Sequence, residues 1–315
     1  MSQRQHAAAG RVLDRRPRAR GGFRIPPRLV PYLCLAPAAI LILGLVVYPA
    51  ATVFYYSVQE YNVTKPYLNG FVGLANFQQI LTADPLFRNS LLVSLKWVVA
   101  EVVLQLALGM GLALILNRRF RGRGAARSLL FAPWAVSGVV VTTMWELMYS
   151  PFTGMLDTTL QRIGLIHQPI QWLSDTHTVF GSLVTAELWR GVPFFTILLL
   201  AALQSIPQDL YEAAAVDGAG RWQAFRRITL PLLKDAIVLA TLLRGIWEFN
   251  NVDVIYTMTG GGPGDLTTTL PLYVVNQAIR YHEFGYGSAL SVLCFVILFS
   301  FAILYLRLSR FGRET

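Results

Sequence analysis

The chain has 315 residues, of which 54% are apolar and only 14% charged, and it carries a formal net charge of +10 at pH 7. So little polar surface excludes a soluble globule of this size, and so much apolar length suffices for several bilayer crossings. Nucleic acid is excluded as the reason for the positive balance: the basic residues are spread over a tail and alternate connections, with no aromatic residue before Phe23, so bilayer topology and anionic lipid account for them.

Residues 1–28 hold eight arginines and read as a basic, disordered cytoplasmic tail. Six segments long and apolar enough for helical spans of roughly 20 residues follow, at about 29–57, 87–116, 127–150, 179–204, 232–257 and 287–307. The first is too long for a signal peptide and has no cleavage site of the usual form, so it is read as a span. Cys34 and Cys294 lie in the first and last spans, too few for a disulfide framework or metal cluster, and read as packing residues. In the second span Lys96 and Glu101 read as structural.

An even number of spans returns residues 309–315 to the side of the N-terminal tail. Connections on that side, with the tails, hold twenty Lys and Arg, against Lys65, Arg88, Arg162 and Arg280 opposite. The asymmetry places both termini on the cytoplasmic side of a cell membrane. The fold class is therefore all-α and polytopic, a single transmembrane domain over 29–308. The opposite loops carry exposed-looking aromatics (Tyr61, Tyr67, Phe71, Phe77, Phe152) suited to a landing surface.

Charged groups in hydrocarbon are expensive, so those in mid-span point to function. The fourth span carries Glu187 and Arg190, three apart; the fifth carries Arg244 and Glu248, four apart, so each couple shares a helix face. The alternative is that the two couples neutralise each other and pin the fourth span to the fifth.

Between these spans stands YEAAAVDGAGRWQAFRRITLP, residues 211–231, within a connection spanning 205–231. Pro207 suits a first helical turn, Asp209 and Glu212 favour its positive end, and Gly218 can terminate it after about three turns. A second piece, Arg221 to Ile228, sets Trp222 and Phe225 beside Arg226 and Arg227, as an interfacial helix would, with Pro231 expected to end it. The narrow alanine face can seat in a groove of another protein. Beyond the fifth span, Gly260-Gly261-Gly262-Pro263-Gly264 is followed by Asp265-Leu266 and not by Lys-Ser/Thr, so it is a tight turn and not a phosphate loop. The histidines His6, His167, His177 and His282 all lie in loops or the tail, and no HExxH, GxSxG, DDxxD or CxxC pattern occurs, which leaves a membrane enzyme without an active site. A proton-coupled secondary transporter could use the paired charges but has no need of the 205–231 element.

The sequence Glu212-Ala213-Ala214, then Asp217-Gly218, then Ile228 and Leu230-Pro231, resembles in type and spacing the EAA loop of ATP-binding-cassette (ABC) importer permeases. FNNVDVIY at 249–256, TMTGGGP and Thr267-Thr268-Thr269 look like the region after that loop in carbohydrate permeases of the maltose-transporter type, closest to the MalF-like member of the permease pair. The likeness runs from about residue 30 to 308, without the extra spans and large external domain of the maltose subunit. It implies a coupling helix using Glu212, Ala213, Ala214, Asp217, Gly218, Ile228 and Pro231. It also implies a second permease, an ATPase dimer that binds ATP and Mg, and an extracytoplasmic solute-binding protein, with no cofactor in this chain. Aligned on the shared motifs, Trp134, Gly138, Glu187, Arg190, Gly191, Phe194, Arg244 and Glu248 fall where the maltose permease lines its cavity. The solute implied is a sugar or oligosaccharide; a glycerophosphodiester, held by the two arginines, is the alternative.

Overall fold

The computed structural model describes Pro26, Arg28 and residues 30–309; the basic tail expected at 1–28 and the end beyond Ser309 lie outside the described residues. The described residues divide into two compact units, the first ending at Ala51 and the second beginning at Thr52. The protein is a mostly helical membrane protein. Its helix α1, Val30–Ser57, carries a π-helical stretch at Leu43–Val47 and starts in the first unit.

In the second unit the end of α1 is followed by a two-stranded antiparallel sheet, β1 (Gln59–Glu60) on β2 (Gly70–Phe71), a small exception to the all-α expectation. Helix α2, Pro85–Asn117, is started by Asp84. One carboxylate oxygen of Asp84 accepts from the Leu86 and Phe87 amides at 2.8 and 3.1 Å, and Pro85 occupies the first turn, where its missing N–H has no helical partner to lose. The other oxygen accepts from the hydroxyls of Tyr273 and Tyr286 at 2.7 and 2.6 Å, tying this cap to two later segments.

The third expected span is not one straight helix. It consists of α3, Arg123–Ala135, and α4, Gly138–Met148, bent by 95° at Val136-Ser137. The helix ends where Val136 takes an extended conformation (φ −87°, ψ 142°), three residues past Pro133. Helix α5, Val179–Gln204, leads through Ser205-Ile206-Pro207 into the short α6, Gln208–Val216. The following piece runs as helix Arg221–Ala224, a π-helical stretch Phe225–Thr229 and a turn at Leu230–Leu232. Pro231 therefore does not end the second piece. The wide π turn before it absorbs the carbonyl the proline cannot satisfy, and the chain runs on into α7, Lys234–Phe249. That helix is 16 residues, and Asn250-Asn251-Val252 breaks the expected fifth span before α8, Asp253–Met258. Helix α9, Phe284–Ser309, closes the chain. Among the described residues four helices (α1, α2, α5, α9) are long and apolar enough to cross a membrane, or five if α3 and α4 make one span.

The core of the second unit is built on α2 and α5. Buried positions on α2 recur four apart, at Val93, Trp97, Glu101, Gln105, Gly109 and Ala113, a stripe that faces α5. An apolar cluster around Trp97, Leu183, Ala186 and Ile255 lies at one end, and one around Ala113, Phe195, Leu199 and Leu233 at the other. A third cluster joins Phe87, Phe249, Leu270 and Leu290, with Cys294 buried in it. The helices meet closely at Gly109, where an added Cβ would run into the Phe195 side chain and lie 3.1 Å from the Thr196 backbone nitrogen.

This contact makes a testable prediction. Gly109→Val should destabilise the protein by about 1–3 kcal/mol, the usual effect of overpacking, whereas Gly111→Ala, with open space at its Cβ, should be neutral. Thermal denaturation followed by size-exclusion in detergent checks both, and equal midpoints for the two variants would remove Gly109 from the helix contact.

Candidate functional site

Between the two apolar clusters on α2 and α5 the stripe turns polar. Glu101 and Gln105 on α2, Glu187 on α5, and Arg244 and Glu248 on α7 are all buried there, with Arg244 only 6% exposed and the two glutamates of α5 and α7 at 0% and 1%. Three buried carboxylates face two guanidiniums, a set that hydrocarbon tolerates only through mutual pairing.

Arg244 holds the set together. Its Nη2 donates to Glu187 Oε1 at 2.9 Å and lies 2.6 Å from Glu248 Oε1, and its Nε donates to Gln105 Oε1 at 2.7 Å, so one side chain joins α2, α5 and α7. The Gln105 amide nitrogen donates to Glu101 Oε2 at 2.8 Å and to Glu248 Oε1 at 3.1 Å. Arg190 meets Glu187 bidentately, Nε to Oε2 at 3.0 Å and Nη2 to Oε1 at 3.1 Å, one turn along α5. Gly191 makes the assembly possible, since a Cβ there would overlap Gln105 and Arg244. Phe194 lies beneath, with the Arg244 Cζ 5.9 Å above its ring and the Trp247 ring at 5.2 Å.

The network opens on one side into a cavity of about 290 Å³ lined by Trp134, Glu187, Arg190, Arg244, Trp247 and Glu248, with Val136, Asn251 and Asp253 completing the wall. The bend between α3 and α4 delivers Trp134 and Val136; the break after α7 delivers Asn251 and Asp253. Trp134 and Trp247 are each half exposed, giving two indole faces beside a rim of carboxylates, guanidinium and amide. Of the eight residues singled out from sequence, five line this cavity. Gly138, Gly191 and Phe194 stand behind it: a Cβ at Gly138 would come within 2.8 Å of Arg190 Nη1 and 3.2 Å of Asp253 Oδ2.

Sequence reasoning missed Gln105, Trp247, Asn251 and Asp253, and set Glu101 aside as structural together with Lys96. Lys96 is exposed on another face of α2, whereas Glu101 is fully buried beside Gln105, with its Oε1 hydrogen-bonded to no described residue. The recurrence of Trp97, Glu101, Gln105, Gly109 and Ala113 every four residues was the available signal.

The 205–231 connection forms a separate feature. Helix α6 ends in a paired-bond C-terminal motif: Gly218 N–H donates to Ala215 O at 3.1 Å and Ala219 N–H to Ala214 O at 2.9 Å, with Gly218 at φ +78°. No residue of α6 is buried; Glu212, Ala213 and Asp217 are exposed, Ala214 partly so, and Val216 is 88% exposed. Ile228 is half-buried and Pro231 exposed. The Tyr211 hydroxyl meets Thr229 Oγ1 at 2.9 Å and clasps α6 to the limb that returns to α7.

Residues 105–311 match the family described as binding-protein-dependent transport system inner membrane component. The trehalose/maltose transport system permease protein MalF of Thermococcus litoralis is 40% identical over 283 residues, covering 90% of this chain and 94% of that one. The sulfoquinovosyl glycerol transport system permease protein SmoG of Agrobacterium fabrum is 36% identical over 287 residues, 90% and 91% of the two chains. Among solved structures, a chain of a bacterial alginate ABC transporter in complex with alginate pentasaccharide-bound periplasmic protein superposes with a TM-score of 0.77 at 23% identity, over 89% of this chain and 93% of that one. This last likeness bears on the fold.

The ion-pair geometry predicts an asymmetry. Arg244→Met leaves Glu187 and Glu248 buried without their shared cation, and breaking such a pair costs about 3–5 kcal/mol, so monodisperse protein should be largely lost. Glu101→Gln removes a carboxylate that pairs with no described cation and should leave the yield unchanged and the stability within about 1 kcal/mol of the parent. Equal losses for the two would contradict Arg244 as the centre of the network.

Proposed function

Since the chain belongs to the family of binding-protein-dependent transport system inner membrane components, and is thus the permease of an ABC importer in which a separate subunit handles ATP, we propose that its solute is a sugar or oligosaccharide bound at the cavity of α3, α5 and α7. The observation that carries this reading is the pairing of two indole faces, Trp134 and Trp247, with Arg190, Glu187, Asn251 and Asp253 around one cavity. Sugars present apolar ring faces to aromatics and hydroxyls to planar polar groups, and relatives named for trehalose/maltose and sulfoquinovosyl glycerol transport agree with that class. A glycerophosphodiester would need guanidinium donors for its phosphate. Both guanidiniums are already engaged by carboxylates, which favours the sugar.

The rest of the assembly follows as part of the same reading. Six spans, formed by α1, α2, the bent α3–α4 pair, α5, α7 with its flanking turns, and α9, make one transmembrane domain over 29–308, with both termini cytoplasmic. The twenty-to-four distribution of basic residues supports this orientation. Helix α6, exposed and ended at Gly218, is the coupling helix that docks on an ATPase dimer, with Glu212, Ala213, Ala214 and Asp217 on the docking side and Ile228 and Pro231 in the return limb. A second permease completes the pathway. An extracytoplasmic solute-binding protein lands on the opposite loops, where Tyr67, Phe71 and Phe152 are 80%, 77% and 92% exposed. Transport proceeds by alternating access: ATP closure opens the cavity outward, where the docked binding protein releases its solute, and hydrolysis resets it inward.

The complex reconstituted with its partner subunits should hydrolyse ATP faster when its binding protein carries a sugar. Stimulation by a glycerophosphodiester alone, across a panel of both classes, would replace the sugar reading. In that complex Glu248→Gln should change solute-stimulated ATPase activity while assembly persists. Gly218→Val, forced into a left-handed conformation that costs a side chain about 1–2 kcal/mol, should retain ATP hydrolysis but lose uptake; normal uptake would disprove the coupling role of α6.

A further inference from the structure

Where the chain passes from α2 to α3, five arginines fall within 118–127 with no acid among them. Three, Arg119, Arg123 and Arg127, line a polar cavity of about 580 Å³ whose opposite wall is the first turn of α6, Gln208 and Tyr211. None of the three forms an ion pair among the described residues. Arg123 and Arg127 sit one turn apart on α3 and share one neutral acceptor. With the Gln204 amide turned to present its oxygen, that atom accepts from Arg123 Nη2 at 2.9 Å and Arg127 Nη2 at 2.8 Å. The Nε atoms of both arginines are shielded from solvent and hydrogen-bond to no described group. Concentrated like charge, with buried donors left over, is the chemistry of an oxyanion site.

A second, apolar cavity of about 940 Å³ adjoins the first and shares Asn117, Leu203 and Tyr211 with it. Met110 and Leu114 of α2 form one wall, and Trp222 and Phe225, stacked at 5.5 Å, form the other. A soluble phosphate or a carboxylate from a protein would satisfy the arginines but would leave this trough uncovered. A molecule with a phosphate at one end and a hydrocarbon chain at the other fits both.

We propose that the paired cavities bind one anionic phospholipid, its phosphate held by Arg119, Arg123 and Arg127 and an acyl chain laid along Met110, Leu114 and Trp222. The site lies apart from the solute cavity and rests on the proposed function only in placing this face at the cytoplasmic leaflet. A bound lipid would brace the start of α3 against the first turn of α6, so the lipid composition of the membrane would set how firmly the coupling element is held.

The test is fluorescence quenching of Trp222 in the full-length chain in phosphatidylcholine nanodiscs. Brominated phosphatidylglycerol is compared with brominated phosphatidylcholine, and the Trp222→Phe variant identifies the Trp222 component. Phosphatidylglycerol should reach half-quenching at a mole fraction at least about fivefold lower, and Arg123→Gln should lose about fivefold of that preference, with Arg123→Lys losing less. Equal quenching by the two lipids in the unaltered chain overturns the proposal and requires no variant to fold. It is also overturned if soluble glycerol 3-phosphate cancels the preference, which would make the ligand a free oxyanion. Cancellation by added ATPase subunit would assign the arginines to a protein carboxylate, with the same consequence. A missing sugar response in the reconstituted complex would leave this binding result untouched, so the two readings fail separately.

Discussion

A single guanidinium, Arg244, is the constraint on which the second unit depends. It is fully inside the helices and touches a residue of each of three: Gln105 of α2, Glu187 of α5 and Glu248 of α7. In a hydrocarbon setting there is little hydrophobic drive between helices, so packing and interhelical polar bonds must specify their arrangement. Here the apolar clusters on either side supply contact area, and the Arg244 network supplies register: sliding α7 by one residue would turn Arg244 and Glu248 away from both partners. The close approach that lets the network form comes from glycine, Gly109 for the backbones and Gly191 for the side chains.

The sequence left scaffold and pocket opposed, and the same residues sit where either role would put them. Glu187, Arg190, Arg244 and Glu248 neutralise one another and pin α5 to α7, as a purely structural reading requires, and they also form the inner wall of the cavity. The two roles are compatible because each carboxylate has two oxygens and each guanidinium five donors. Arg190 is the member with a side chain still 21% exposed, so in the proposed sugar reading it is the group best able to exchange a partner for a solute hydroxyl.

What could be read from sequence divides by physical cause. The spans α1, α2, α5 and α9 were legible because long apolar windows depend on composition alone. The 95° bend at Val136-Ser137 was not, since a hydropathy window over 127–150 counts apolar residues without regard to direction, and Pro133 is tolerated in many continuous membrane helices. The second piece of the 205–231 connection was misread for a related reason: Pro231 can stop a helix, but a preceding π turn lets the chain continue. Mid-span charges were legible from the cost of burying them. Gln105 was not, because an uncharged amide raises no such alarm, and Asn251 and Asp253 reach the cavity only through the break after α7, which composition does not announce.

The connectivity then relates the two functional features without any long-range signal being needed. Helix α5, which carries Glu187 and Arg190, runs through three residues into α6, and α7, which carries Arg244 and Glu248, is the continuation of the limb that returns from it. The Tyr211–Thr229 bond clasps the two limbs at their base. In the proposed coupling role, a displacement of α6 by a docked ATPase would act on the two helices that carry the cavity wall, against the ion pairs that join them. Those pairs are short and bistable in kind, either made or broken, so the helices resist small shifts and yield to large ones. In the proposed importer cycle that resistance would reside in Glu187, Arg244 and Glu248, the residues that join α5 to α7.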